Sequence, residues 1–238
     1  MPTKTVIHRE AVVLAGGLGT RLRSVISDVP KAMAPVNGRP FLEHLLTFLR
    51  SRDIRRVVLS IGYLGEHIRN YFGSTFGDME IDYHAELTPL GTGGALQRAL
   101  LRCVTDHVYV LNGDTFADFT CEEAEARHAS TGRHIMFGKA MASFDRYGAL
   151  DLVGTRVHGI TRRSSFQSGY INTGVYFVST DILSSVTRSL PFSFEQDFLP
   201  TFLNSSPFEM VPVAGDFVDI GIPSDYEKAQ SLLRFASI

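Results

Sequence analysis

Short apolar runs alternate along the first half of the chain with stretches whose apolar residues recur at helical spacing. Four predicted strands cover residues 11–15, 57–61, 81–83 and 108–111. The first, second and fourth of these lack regular polar alternation, which is typical of strands buried on both faces of a parallel sheet. Three predicted helices lie between the strands, at residues 40–51, 65–72 and 93–102. This alternating order predicts an α/β protein with helices on both faces of the sheet.

The second half of the chain is less regular. Its predicted strands are residues 134–139, 170–178, 209–213 and 217–219, and its predicted helices are residues 122–130, 194–203 and 224–235. The polar, glycine-rich segment 141–168 suggests a β-hairpin or an irregular insertion that helps to cover a cleft. Because no Pro/Ser-rich linker divides the halves, we expect one domain over residues 1–238, built on an open, mostly parallel mixed sheet.

Composition excludes several classes of protein. Of the 238 residues, 44% are hydrophobic and 20% are charged, which is ordinary for a globular protein. The net charge of −2 provides no basic field for a nucleic acid or an anionic membrane. No apolar run approaches the roughly 20 residues of a membrane helix, and the start, MPTKTVIHRE, suggests no secretion signal. Cys103 and Cys121 form no metal motif, so inert thiols in a reducing cytoplasm are expected.

A glycine-rich loop follows the first predicted strand and reads LAGGLGTRL over residues 14–22. Gly16, Gly17 and Gly19 would let backbone N–H groups approach a phosphate. The dinucleotide fingerprint fails because position 22 is leucine, and the P-loop string GxxxxGK[ST] is absent from the chain. Two alternatives remain: a turn without a ligand, or a triphosphate site to which Thr20 and Arg21 add donors.

The connection over residues 16–39 favours the triphosphate alternative. It is much longer than a usual βα loop, and long ordered loops at the carboxyl ends of strands are where open α/β sheets bind ligands. This connection contains both Arg21 and Lys31. Two cations with several backbone donors suit a polyphosphate better than the single pyrophosphate of a dinucleotide.

Several strings then carry a resemblance to a known family. GGLGTRL at residues 16–22 and PKAMAPV at residues 30–36 resemble the signature of sugar-1-phosphate nucleotidyltransferases. The resemblance continues at LGTGGA (90–95), LNGD (111–114), INTG (171–174) and DIG (219–221). It implies a Rossmann-like fold of GT-A type, with a nucleotide-binding half at about 1–118 and a sugar-phosphate-binding half at about 119–238. Within that family, the chain resembles the short D-glycero-α-D-manno-heptose 1-phosphate guanylyltransferases and also the mannose-1-phosphate guanylyltransferases.

The reaction that this resemblance implies joins a nucleoside triphosphate to a sugar 1-phosphate and releases pyrophosphate. The attacking phosphate is already ionised at neutral pH, so no general base is needed. Asp114 follows the predicted strand 108–111 after Asn112 and Gly113, and Asp219 ends the predicted strand 217–219. The two carboxylates can therefore hold Mg²⁺ at one sheet edge. Arg21 would stabilise the leaving pyrophosphate, and Lys31 would neutralise the region of the α-phosphate.

Base selection can be argued from Glu86, which stands where uridylyl- and thymidylyl-transferring relatives carry glutamine. An ionised carboxylate only accepts hydrogen bonds, and guanine offers two adjacent donors, N1–H and the 2-amino group. Glu86 therefore favours GTP, although a surface glutamate near Glu80 and Asp82 is the alternative. The other nucleotide-binding residues expected from the glycine loop and the LGTGGA string are Leu14, Gly16, Gly17, Gly19, Thr20, Gly91 and Thr92.

The sugar side departs from the family pattern. Asn172 and Gly174 match positions that contact sugar hydroxyls. A Glu-Lys pair is common before them, but this chain has Arg162 and Arg163. Arg163 can replace the lysine as a phosphate ligand, whereas Arg162 cannot replace a carboxylate. Glu195 is the candidate for the missing carboxylate, and the alternative is a helix-start glutamate paired with a Ser193 cap.

Other functions remain open at this stage. A nicotinamide-dependent reductase is disfavoured by Leu22 and Lys31, and a catalytically silent nucleotide-sugar sensor is disfavoured by the intact Arg21, Lys31, Asp114 and Asp219. A mannose-specific or a uridylyl- or thymidylyl-transferring enzyme is the nearer alternative. The resemblance implies a role in bacterial capsule or lipopolysaccharide synthesis, and any homodimer is expected to form through the catalytic domain.

Overall fold

The computed structural model describes residues 9–17, 29–142, 147–161 and 168–233. The strands in chain order are β1 (Arg9–Leu14), β2 (Pro35–Val36), β3 (Arg39–Pro40), β4 (Ile54–Ile61), β5 (Thr75–Phe76), β6 (Met79–Ala85), β7 (His107–Asn112), β8 (Thr115–Ala117), β9 (Ile135–Met141), β10 (Ala149–Val153), β11 (Arg156–Thr161), β12 (Gly169–Ser179), β13 (Phe208–Pro212) and β14 (Phe217–Asp219). The α-helices are α1 (Phe41–Ser51), α2 (Gly65–Phe72), α3 (Gly91–Leu100), α4 (Cys121–Thr131), α5 (Leu199–Ser205) and α6 (Pro223–Leu232). Lys31–Met33 forms a 3-10 turn, and Phe194–Phe198 forms a π-helical turn.

A ten-stranded mixed sheet contains strands from both halves of the chain, in the order β10-β11-β13-β9-β12-β7-β1-β4-β6-β5. Its first-half strands β7, β1, β4 and β6 are parallel neighbours, as the alternating pattern predicts. Around β12 the pairing with β7 and β9 is antiparallel, and β13 runs parallel to β9. The short strands β8 and β14 form a separate antiparallel pair. Five of the nine neighbouring strand pairs in this sheet are antiparallel, so the sheet is mixed rather than mostly parallel as expected. Parallel pairing dominates only in the first half, where helices connect successive strands, whereas the second half contains the hairpin of β10 and β11 and the antiparallel strand β12.

The unbroken apolar runs are explained by burial on both faces. In β1, Ala11 and Val13 join one core cluster, whereas Val12 joins the cluster on the opposite face. Helix α1 buries Phe41 and Leu45 in the first cluster, and α3 packs on the other face. The predicted mixed α/β architecture with helices on both faces is confirmed.

The boundaries differ from the predicted ones by a few residues. Helix α3 begins at Gly91 rather than at residue 93. Within segment 141–168, the described part contains the antiparallel hairpin of β10 and β11, which agrees with the β-hairpin alternative.

Burial raises the pKa of Cys103 to about 12 and that of Cys121 to about 11, so both thiols stay protonated at neutral pH. In the part of the chain that the structure describes, no helix combines the length and the apolar character that a membrane span needs.

Candidate active site

Two adjacent cavities open where the parallel strands end. The first has a volume of about 680 Å³ and contacts the ends of β1, β4, β6 and β7. The second, of about 540 Å³, lies beside β8, β12 and β14. Asn112, Asp114, Glu195 and Gln196 line both cavities and therefore form their common wall. Carboxyl ends of parallel strands are where open α/β sheets bind ligands, so this pair of cavities is the candidate active site.

The structure brings most of the predicted site residues to these two cavities. The first is lined by Leu14, Gly16, Gly17, Glu86, Gly91, Thr92, Asp114 and Glu195. The second is lined by Lys31, Asp114, Asn172, Gly174, Glu195 and Asp219. Four predicted residues lie outside the described residues, namely Gly19, Thr20, Arg21 and Arg163.

Glu86 directly follows β6 and lies against the glycine loop. Its Oε2 accepts a hydrogen bond from the backbone N–H of Leu90 at 2.9 Å. Gly16 is so close that an added Cβ would lie 2.7 Å from Oε1 of Glu86. Burial raises the pKa of Glu86, and the Leu90 hydrogen bond opposes this rise by favouring the ionised form. Glu86 thus forms part of the wall of the first cavity rather than an isolated surface charge.

Gly91 opens α3 beside Glu86 with a φ of +72°. A Cβ there would lie 2.3 Å from the carbonyl oxygen of Phe192, so only glycine fits this approach. The next residue, Thr92, accepts a hydrogen bond from the N–H of Phe194 at 2.9 Å. These contacts fasten the start of α3 to the turn that carries Glu195.

The predicted metal carboxylates meet as neighbours. Thr115 of β8 pairs with Asp219 of β14, which brings Asp114 and Asp219 to one edge. Lys31 reaches both, with Nζ 2.5 Å from Oδ2 of Asp114 and 3.8 Å from Oδ1 of Asp219. Oδ1 of Asp219 also accepts from the N–H of Gly221 at 2.7 Å. Buried Ala32 and Met33 anchor the 3-10 turn of Lys31 in the core.

This donor set fits a hard divalent cation. Mg²⁺ prefers oxygen ligands and usually binds through one or two carboxylates, with water and substrate phosphates completing its coordination. Two adjacent carboxylates between the cavities provide such a set. Among the described residues there is no group of three or more His, Cys, Asp or Glu side chains that could hold a metal. Two carboxylates leave coordination positions of such a cation for water and substrate phosphates.

The alternative role for Glu195 does not match its contacts. Oγ of Ser193 accepts from the N–H of Gln196 at 3.1 Å, and the N–H of Ser193 donates to Asp197 at 2.6 Å. The carboxylate that completes this cap is therefore Asp197. Glu195 instead accepts from the hydroxyl of Tyr176 at 2.8 Å, on the side of the cavities.

Sequence reasoning missed some residues of the site. Asn112 lines both cavities and has a sequence signal, since it ends a buried strand just before Gly113 and Asp114. Tyr63 and Leu87 line the first cavity and are exposed by 53% and 100%, unusually high values for large apolar side chains. Tyr176 occupies a position that the sequence pattern assigns to the core, and only its hydroxyl indicates that it has a hydrogen-bond partner.

The geometry and the comparisons define the class of protein. The nucleotidyl transferase family profile matches residues 10–234, and the chain belongs to this family. It is 40% identical over 227 residues to the D-glycero-alpha-D-manno-heptose 1-phosphate guanylyltransferase of Aneurinibacillus thermoaerophilus, covering 94% of this chain and 98% of that relative. It is 37% identical over 218 residues to the Campylobacter jejuni protein of the same name, covering 91% of this chain and 96% of that relative. The sequence resemblance is confirmed.

A solved structure supports the same family. The crystal structure of HddC from Yersinia pseudotuberculosis complexed with GMP-PN matches with a TM-score of 0.84 at 34% identity. The match covers 94% of this chain and 98% of that chain. The Rossmann-like nucleotidyltransferase fold is thereby confirmed.

Proposed function

We propose that the protein is a guanylyltransferase that condenses GTP with D-glycero-α-D-manno-heptose 1-phosphate to give the GDP-sugar and pyrophosphate. The observation that carries this proposal is the joining of the two cavities at Asp114, with Glu86 in the first and Asn172 in the second. The two heptose 1-phosphate guanylyltransferases support the choice of substrates by their identity and coverage. The guanine nucleotide in the HddC structure supports the base.

Glu86 is proposed to recognise the base of the nucleotide. Its carboxylate accepts hydrogen bonds from N1–H and the 2-amino group of guanine, an arrangement that uracil and thymine cannot provide. The backbones at Leu14, Gly16, Gly17 and Gly91 approach the base and ribose, and Thr92 lies at the start of α3. Gly19 and Thr20 extend the phosphate-binding loop in this proposal.

In the reaction, an oxygen of the sugar phosphate attacks the α-phosphorus of GTP. The bond between that phosphorus and the bridging oxygen of the β-phosphate breaks, and pyrophosphate leaves with its electron pair. Lys31 neutralises charge at the α-phosphate, and Arg21 does so at the leaving group. Asp114 and Asp219 would hold Mg²⁺, which supplies further positive charge to the phosphates. Catalysis is then mainly positioning and electrostatic stabilisation.

The second cavity would hold the sugar 1-phosphate. Asn172, Gly174 and Glu195 contact the sugar in this proposal, and Arg163 binds its phosphate. Residues 1–238 act as a single cytoplasmic nucleotidyltransferase domain, with the nucleotide half at about 1–118. Its product serves capsule or lipopolysaccharide synthesis, and any homodimer forms through the same domain.

Product identification tests the proposal. The purified protein is incubated with GTP, Mg²⁺ and D-glycero-α-D-manno-heptose 1-phosphate, and the products are identified by mass spectrometry and phosphorus NMR. We expect GDP-heptose and pyrophosphate in equal amounts. GDP and inorganic phosphate without a nucleotide sugar, or no turnover in folded protein, would contradict it.

A further inference from the structure

Four polar side chains form one hydrogen-bond network at the wall between the cavities. The hydroxyl of Tyr176 donates to Oε1 of Glu195 at 2.8 Å and accepts from Nδ2 of Asn172 at 2.7 Å. Nδ2 of Asn112 lies 3.4 Å and Nδ2 of Asn172 lies 3.5 Å from the same Oε1. The network thus joins β7, β12 and the π-helical turn at one carboxylate.

A bulge in β12 aims Asn172 into this network. The pairing of β12 with β9 shifts register between Asn172 and Tyr176, and such bulges redirect side chains next to active sites. Inside the bulge, the N–H of Gly174 donates to Oδ1 of Asn172 at 3.0 Å. Gly174 has a φ of +72°, and a Cβ there would lie 2.4 Å from Nδ2 of Asn112. The glycine therefore lets Asn112 and Asn172 approach the same carboxylate.

The ring of Tyr176 is fixed as firmly as its hydroxyl. Tyr176 is 1% exposed, and its ring packs edge-on against Phe194 with centroids 5.3 Å apart. Because Phe194 opens the π-helical turn and directly precedes Glu195, this packing places the ring of Tyr176 against the turn that carries the carboxylate. Tyr176 therefore reaches Glu195 both through its hydroxyl and through the neighbouring ring.

The network leaves one carboxylate oxygen for a ligand. All hydrogen bonds that Glu195 receives from the residues the structure describes go to Oε1. Oε2 receives no hydrogen bond from those residues, although Glu195 lines both cavities. Burial raises the pKa of Glu195, and the charges of Asp114 and Asp219 act in the same direction. A neutral donor such as a sugar hydroxyl complements this acceptor without adding charge.

We infer that Tyr176 is a positioning residue for sugar selection: it holds Glu195 so that the free carboxylate oxygen accepts a hydrogen bond from a ring hydroxyl of the sugar 1-phosphate. This inference rests on the proposed function, because it assigns the second cavity to the sugar. The common Glu-Lys pattern has a glutamate where this chain has Arg162. Glu195 takes over the recognition of a sugar hydroxyl that this glutamate would provide. Tyr176 itself touches no substrate.

The first experiment compares Tyr176→Phe with Tyr109→Phe. Tyr109 is equally buried, and its hydroxyl contacts the carbonyl of Cys121 at 3.2 Å and Glu125 at 3.1 Å, away from both cavities. We expect Tyr176→Phe to raise KM for the sugar 1-phosphate about tenfold, the loss of one hydrogen bond to a charged group, with KM for GTP and kcat nearly unchanged. Tyr109→Phe should change neither KM. An unchanged sugar KM in Tyr176→Phe, or an equal rise for GTP, would overturn the inference.

The second experiment uses Glu195→Gln with mannose 1-phosphate and its monodeoxy analogues. Wild type should lose about tenfold in kcat/KM on the analogue that lacks the recognised hydroxyl, and Glu195→Gln should lose less than about threefold on the same analogue. Equal penalties in both proteins for every analogue would overturn the inference. Protection from thermal unfolding by GTP reports that each variant is folded. If the wild type turns over a sugar 1-phosphate and Tyr176→Phe has the same KM for it, only this inference is rejected. If the wild type turns over no sugar 1-phosphate, the proposed function is rejected.

Discussion

Nζ of Lys31 lies 2.5 Å from Oδ2 of Asp114, at the boundary between the two cavities. The same ammonium lies 3.8 Å from Asp219, so one positive charge holds two carboxylates together. A divalent cation on these carboxylates would repel that ammonium. We expect Lys31 then to turn toward the substrate phosphates, whose negative charge replaces that of the carboxylates. We therefore expect metal binding to be coupled to the position of the Lys31 ammonium.

Asp114→Asn tests the metal role. The change keeps the size of the side chain but removes its charge, so we expect kcat to fall by about 1,000-fold and divalent-ion binding to weaken. Steady-state kinetics with Mg²⁺ and Mn²⁺ titration by electron paramagnetic resonance measure the two effects.

Asp118→Asn is the matched control. Asp118 pairs with Arg52 at 2.5 Å and lies outside the lining of either cavity. The activity of Asp118→Asn should stay near that of the wild type. Normal turnover in Asp114→Asn would reject the metal role of Asp114.

Glu86→Gln tests base selection. An amide presents both a donor and an acceptor, so its NH₂ group would face a guanine donor. We expect kcat/KM for GTP to fall by roughly 100-fold while the value for UTP stays level or rises. Glu80→Gln, in the strand β6 that Glu86 follows, is the control, because Glu80 is exposed and pairs with Arg56 at 3.1 Å. If the ratio of GTP to UTP activity were the same in Glu86→Gln and wild type, another residue would select the base.

A comparison of Gly91→Ala with Gly73→Ala tests whether a steric clash at Gly91 adds to the backbone strain of a positive φ. Gly91 and Gly73 both have positive φ values, +72° and +63°, but only the Cβ at Gly91 would meet other atoms. Gly73 combines its positive φ with a ψ of −144°, close to a region that is nearly restricted to glycine, so we expect Gly73→Ala to lower the free energy of unfolding by about 1–3 kcal/mol and to leave activity unchanged. Gly91→Ala should cost about 2 kcal/mol or more and should raise KM for GTP, because the clash moves α3 at the first cavity. Chemical denaturation and kinetics measure both effects, and equal behaviour of the two variants would contradict the clash.

His134 should make the fold sensitive to acid. It packs between Phe202 and Phe208, and its Nδ1 accepts from the N–H of Ser179 at 3.3 Å. Burial lowers the pKa of His134 to about 4, below its usual value of 6.5. The unfolded chain therefore binds a proton more readily than the folded one between these values. The contribution of the neutral His134 ring to the free energy of unfolding is fully present above pH 6.5. It is lost as the pH falls toward 4, by up to about 3 kcal/mol.

His134→Phe removes this titration. The free energy of unfolding of the variant should fall less between pH 7.5 and 5 than that of the wild type, whatever its value at pH 7.5. His158→Gln changes an exposed histidine of β11 and should keep the wild-type pH dependence. A His134→Phe profile parallel to the wild type would show that another group governs acid sensitivity.

The sequence predicted the parts of the fold that depend on local patterning. Strands such as β1 and β7 were recognisable because their unbroken apolar runs are buried on both faces. The glycine loop, Lys31 and Asp114 were recognisable because motif residues occur together in the chain. The approach of Asp114 to Asp219 also depends on the pairing of β14 with β8, which the short strand predicted at residues 217–219 only suggested.

The sugar side was less predictable because its geometry is made by tertiary contacts. Phe194 opens the π-helical turn and packs on Tyr176, and both aromatic residues look like ordinary core positions in the sequence. The bulge around Gly174 likewise depends on how β12 pairs with β9. The sequence could therefore propose Glu195 but could not identify Tyr176 as its partner.

Initial rates of pyrophosphate release with different nucleotides and sugar 1-phosphates test the proposed substrate specificity. GTP, UTP, dTTP, ATP and CTP are each assayed with the 1-phosphates of D-glycero-α-D-manno-heptose, mannose and glucose, in the presence of Mg²⁺. We expect kcat/KM to be highest for GTP with the heptose 1-phosphate. A higher value with another nucleotide or another sugar, or no release with any pair, would contradict it.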